Sequence, residues 1–142
     1  MATTGVINGT KFAVYSGATK IAYATSASIS MNHNLRDTST KDSGGWRDQL
    51  EGQRDWEVSV EGMLIFAESG GAIAGLTMDE LYTNYIATRD SLTLKFSTEV
   101  TGDIKWSGTA FLTSLSADTP NEDSSTWSAS FSGSGTLTQA TV

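Results

Sequence analysis

The stretch Trp56-Glu57-Val58-Ser59-Val60-Glu61-Gly62-Met63-Leu64-Ile65-Phe66 sets apolar or small residues at every even position and opens with Glu57, Ser59 and Glu61 at the odd ones. Side chains of a strand alternate between faces, so this pattern reads as a strand with one dry face and one wet face. The same period of two runs through Ile21, Tyr23, Thr25, Ala27, Ile29 and Met31, with Ser26, Ser28 and Ser30 on the opposite side. Further strands are expected at 11–16, 91–98, 104–116 and 126–138, the last two joined by a polar turn that contains Pro120. The expected fold is mainly β with antiparallel strands.

One helix interrupts this pattern. Thr77-Met78-Asp79-Glu80 fits a capping box, and Leu76 and Leu81 are spaced as a hydrophobic staple. Met78, Leu81, Tyr82, Tyr85 and Ile86 would then share one face, and Arg89 in the last turn would complement the helix dipole.

From 32 to 55 the alternation fails. This long segment is polar and carries Arg36, Lys41, Arg47 and Arg54 interleaved with Asp37, Asp42, Asp48, Glu51 and Asp55. Long irregular connections in compact domains are usually functional or disordered. Mixed charge suits pairing with a complementary copy of the same chain, and the plainer alternative is a solvated hairpin whose charges satisfy one another. Trp46 follows Gly44-Gly45 inside this segment and is the candidate anchor for a neighbouring subunit, against the alternative that it folds back on its own domain. Trp56, Trp106 and Trp127 lie in phase with the apolar faces of their strands and are expected in the core.

The chain has 142 residues, 38% of them hydrophobic, which suits one domain over 1–142. No cysteine is present, which excludes thiolate chemistry and disulfides. The start lacks a secretory pattern and the longest apolar run, 63–67, is far short of a membrane span of about 20 residues. A soluble protein, made and kept in the cytoplasm and with no membrane partner, is therefore expected. The formal net charge of −7 has the wrong sign for gripping nucleic acid, yet it suits a surface past which DNA must slide.

Catalytic patterns are incomplete. Residues 70–77 have the glycine spacing of a phosphate loop, but Leu76 stands where the phosphate-binding lysine belongs. Glu57 and Glu61 share a strand face about 13 Å apart, too far for a glycosidase carboxylate pair. His33 is the only histidine, and the group Asp118, Asn121, Glu122 and Asp123 lacks the alternation of a calcium loop. No enzyme activity, cofactor or metal is expected.

The run Arg36-Asp37-Thr38-Ser39-Thr40-Lys41-Asp42-Ser43-Gly44-Gly45-Trp46, followed by Leu50, Gly52, Arg54, Trp56 and Gly62, resembles the major tail protein family of long-tailed bacteriophages and phage-like particles. The resemblance implies two packed antiparallel sheets, a β-sandwich or barrel-like tail tube fold, with one flanking α-helix and a long extended loop. It further implies a homo-oligomer of hexameric rings stacked into a tube around a tape-measure protein, closed by tail tip and terminator proteins. DNA would pass through the lumen without specific binding, and the subunit would reside in the virion tail after assembly in host cytoplasm. In the family the loop corresponding to 32–55 reaches neighbouring subunits or rings, which makes Arg36, Asp37, Lys41, Asp42, Trp46, Arg47, Asp48 and Arg54 candidate interface residues. Ser26, Ser28, Ser30, Glu57, Ser59 and Glu61 are candidates for the lumen wall, with Ser128, Ser130, Ser132 and Ser134 as a further polar face. Non-contractile tails, contractile tails and gene-transfer particles are not separated by these residues. The rival reading from another class is a carbohydrate-binding β-sandwich module, which the tryptophans and Ser/Thr-rich faces would serve.

Overall fold

The computed structural model describes residues 2–21, 24–64 and 78–142. The strands are β1 (Ala13–Ser16), β2 (Thr19–Lys20), β3 (Ala24–Asp37), β4 (Gln49–Met63), β5 (Leu92–Ser97), β6 (Ile104–Asp118) and β7 (Thr126–Thr141). All are joined in one antiparallel sheet of order β2-β1-β5-β6-β7-β4-β3. The two packed layers are thus the two ends of a single sheet that curls over itself. Val14 of β1 and Leu94 of β5 share a core with Val58 and Val60 of β4 and with Trp127, Ala129 and Phe131 of β7.

Two irregularities let β6 and β7 bend. At the first, Gly108 alone stands opposite 135–137, because Ser107 pairs with Thr138 and Thr109 with Ser134. Gly135 takes φ +81°, a left-handed conformation that suits glycine. The bend opens a space filled by Trp56, whose ring lies against Gly108 and Gly133 and whose Nε1 donates to the Gly135 carbonyl at 3.2 Å. Trp56 and Trp127 are buried as expected, whereas Trp106 is half-buried, packs beside Phe12 and donates to Gln139 Oε1.

The helix ends at Arg89, where its pattern suggested, but changes form on the way. It is α-helical over α1 (Met78–Thr83) and continues as a π-helix over Asn84–Thr88, ending where the Arg89 N–H donates to the Asn84 carbonyl. Leu81 is buried in the core, but Tyr82, Tyr85 and Ile86 are about half exposed. The wider π turn breaks the 3.6-residue period on which a single apolar face depends. The phosphate-loop glycines and the Leu76 and Thr77 ends of the staple and capping box lie outside the described residues.

In the connection between β5 and β6, Asp103 is a buried carboxylate with three donors: the Thr3 N–H at 2.5 Å and the Thr3 and Thr98 hydroxyls, each at 2.6 Å. The Thr3 hydroxyl, then that of Thr98 and the Thr3 N–H, hold its pKa below the ordinary carboxylate value. The Asp103 backbone carbonyl accepts from Val142 N–H, so one loop holds both ends of the chain.

Candidate assembly surfaces

Three features stand out once strands are placed in register: a polar face, two open strand edges and a projecting arm.

The polar face is built by four strands. Ser28, Ser59, Ser130 and Ser114 lie side by side across β3, β4, β7 and β6. The neighbouring row is Ser26, Glu61, Ser128 and Ser116, and the next is Ser30, Glu57, Ser132 and Phe111. Every candidate wall residue, together with Ser128, Ser130 and Ser132, therefore falls on one face. Ser134 pairs with Thr109 beyond the last β4–β7 pair and lies off these rows. Cross-strand contacts knit the face together: Ser30 Oγ donates to Glu57 Oε1 at 3.2 Å, and the Ser116 and Ser128 hydroxyls are 2.5 Å apart. These three rows hold two carboxylates and no basic residue. The opposite face of the same strands carries Val58, Val60, Ala129 and Phe131, so burying that face fixes the register of the polar one.

At each side of these four strands an edge lacks a strand partner among the described residues, and α1 packs against β6. β3 pairs with β4 alone, and β5 covers β6 only from Trp106 to Ala110, which leaves the outer edge of 111–118 without a strand partner among the described residues. β3 and β6 run in opposite directions, because three antiparallel pairings separate them.

The arm differs from a long irregular loop. β3 and β4 continue as a two-stranded ribbon through Asp37 and Gln49, so the irregular part narrows to 38–48. Alternation was invisible there because β4 pairs with β7 only from Glu57 onward, and a ribbon wet on both faces needs no apolar side. His33 accordingly lies in a strand opposite Arg54 rather than in a loop.

The arm tip is an ordered turn. Thr40 caps the 3-10 turn Lys41–Ser43 through a reciprocal capping box, and Ser43 Oγ donates to Asp48 Oδ2 at 3.0 Å. The Asp48 N–H donates to Ser39 Oγ at 2.8 Å, and Asp37 accepts from the Ser39 N–H at 2.9 Å. The Ser39 N–H, then its hydroxyl and last the Arg47 charge, lower the Asp37 pKa. Gly44 and Gly45, at φ +66° and +83°, turn the chain so that Trp46 stands 81% exposed. Met31, Leu35 and Leu50 are also more than half exposed on the arm. Arg47 lies 3.8 Å from Asp37, the one ion pair found in the arm among the described residues; Arg36, Lys41, Asp42 and Arg54 form none. Trp46 is not folded back on its own domain, and the arm is a solvated hairpin whose charges satisfy one another only in part.

A cleft of about 720 Å³ separates the root of the arm from the kinked half of β7, with Met31, His33, Arg54, Trp56, Trp106 and Leu137 among its walls. Sequence reasoning missed it, because it arises where β4 and β7 part company. Gly108, Gly133 and Gly135 were the available signal, since glycine inside a strand marks a bulge or a close approach. Among the described residues no cluster of His, Asp or Glu could hold a metal, and no helix is long and apolar enough to cross a membrane.

Residues 8–139 match the family model described as phage tail tube protein. No curated protein matches the chain in sequence. Among solved structures, a chain from the virion of a native gene transfer agent particle superposes with a TM-score of 0.76 at 18% identity, covering 95% of this chain and 99% of that one. A chain of the sheath-tube complex of an extracellular contractile injection system in its extended state gives 0.67 at 17% identity, covering 96% and 93%. A chain of the SPP1 tail tube gives 0.67 at 13% identity, covering 96% and 80%. The chain belongs to the phage tail tube protein family.

Proposed function

We propose that this family member forms a hollow tail tube by closing copies edge to edge into hexameric rings, with the Ser/Glu face lining a channel that conducts DNA. The observation that carries the reading is the pair of oppositely running edges on β3 and β6 that lack a strand partner among the described residues and flank the polar four-stranded face. An uncovered strand edge is a template for another chain. When β3 of one copy meets β6 of the next, the pairing is antiparallel and repeats around a ring. Six copies of four strands make about 24, more than the 16–18 that already leave an aqueous channel. One face of such a barrel is apolar and already covered by its own domain, which leaves the Ser/Glu rows for the lumen.

The arm then joins one ring to the next through Arg36, Asp37, Lys41, Asp42, Trp46, Arg47, Asp48 and Arg54. Arg36, Lys41, Asp42 and Arg54, which form no ion pair among the described residues, and the exposed tryptophan suit an interface completed by another copy. The protein works without catalysis in the virion tail, assembled in host cytoplasm around a tape-measure protein and bounded by terminator and tip proteins.

The test is assembly. Purified chain viewed by negative-stain microscopy at rising concentration, with and without tube fragments as seeds, is expected to form rings and tubes with a central channel. Replacing 39–47 by a short turn should leave a folded chain that forms no tubes. A chain that stays monomeric with seeds present, or an arm-shortened chain that builds normal tubes, overturns the corresponding part.

A further inference from the structure

We propose that the cleft at the root of the arm is the receptor for the Trp46 tip of another copy, so that successive rings are joined tip to root. This deepens the tube reading and rests on it. The tip is a rigid turn that holds an indole 81% exposed, and the cleft has aromatic walls in Trp56 and Trp106. Its volume of about 720 Å³ lies within the 300–1,000 Å³ of ordinary binding clefts, enough for an indole and part of its turn. The charges also match. Arg54 lies on the same strand face as Trp56 at the cleft, Asp42 lies at the tip, and no ion pair engages either among the described residues. Docking the tip sets the Asp42 carboxylate against the Arg54 guanidinium.

A chain cannot fill its own cleft. Arg54 is five strand residues from Gln49, about 17 Å along β4 from where the tip begins. Tip and cleft are different surfaces, so their union is heterologous: each copy that donates a tip still offers a cleft. Such contacts propagate from copy to copy wherever their rotation does not close, as stacking rings require.

The chain has no cysteine, which gives a clean test. The double variant Asp42→Cys with Arg54→Cys, assembled and then oxidised, should give a ladder of cross-linked chains on a non-reducing gel. Each single variant should give at most dimers. Asp42→Cys with His33→Cys, at the cross-strand neighbour of Arg54 in the cleft wall, serves as an independent pair should the first fail to fold. Trp46→Ala, which alters no buried residue, should raise the concentration needed for tube growth at least tenfold while leaving the circular dichroism spectrum unchanged. If the native chain builds tubes but neither cysteine pair gives a ladder, or Trp46→Ala tubes grow as before, tip-to-root docking is wrong and the tube reading stands. If the native chain builds no tubes, both fall.

Discussion

At the scale of single residues, Trp56 is packed where the arm leaves the rest of the sheet. Its ring lies so close to Gly133 that a Cβ there would overlap it, and Nε1 is satisfied only because the left-handed Gly135 turns its carbonyl inward. Trp56→Ala should cost about 3–5 kcal/mol through the cavity it leaves. Gly133→Val should cost about 1–3 kcal/mol by overpacking, and both are read from urea midpoints. The burial of Trp56 was legible in its phase with Val58 and Val60; its glycine contacts were not, because they depend on strands far apart in sequence. Asp103 gives a prediction of a different kind. Its folded pKa is depressed below its unfolded value, so its contribution is present above the unfolded pKa and fades as pH falls through the folded one. Asp103→Asn should therefore lower the urea midpoint at pH 7 and have a much smaller effect at pH 2. A variant equally destabilised at both pH values would mean that geometry, rather than charge, is what the site requires.

At the scale of elements, what the sequence revealed depended on whether a strand had a dry face. β4 from Trp56 onward and β7 were legible because alternate residues are buried. The β3–β4 arm was not, since both its faces meet water and its register is held by backbone bonds and the capped turn at Thr40. The helix was legible in position but not in form, for its π turn undoes the expected apolar face. Edge strands were equally hidden, because an edge is a property of topology and not of composition. This makes the edge the best place to test assembly apart from folding. A proline in β3 on the side away from β4 removes a donor from the open edge while sparing the ladder to β4. Proline scanning over 26–30, with Ser28→Pro at its centre, should yield at least one variant of near-native stability that forms no rings. The checks are thermal unfolding and sedimentation velocity. Rings from every stable proline variant would show that β3 is not a ring-closing edge.

At the scale of the whole molecule, the polar face and the net charge of −7 bear on the same question, which is why DNA would pass a protein wall without adhering. Hydroxyls bind phosphate weakly and carboxylates repel it, so the Ser/Glu rows give a surface with no counterion release to drive binding. The candidate wall residues were visible as separate alternating sets, and the structure adds that they form continuous rows across four strands. A single change should reverse their behaviour. Ser59 stands mid-row between Ser28 and Ser130, with Glu57 and Glu61 as its neighbours two residues away on the same strand face. Ser59→Lys is tolerable for folding because the side chain is exposed and both glutamates offset its charge across about 7 Å. In assembled tubes, a ring of such lysines should hold duplex DNA, with affinity falling steeply as salt rises. Where the lysine points decides the measurement. DNA held inside a tube is shielded from nuclease, whereas DNA bound outside is digested. Variant tubes are expected to retain nuclease-resistant DNA that native tubes release. Retention of DNA that nuclease removes would put the Ser/Glu rows on the outer surface, and the apolar side of the same strands would then need a different account of its cover.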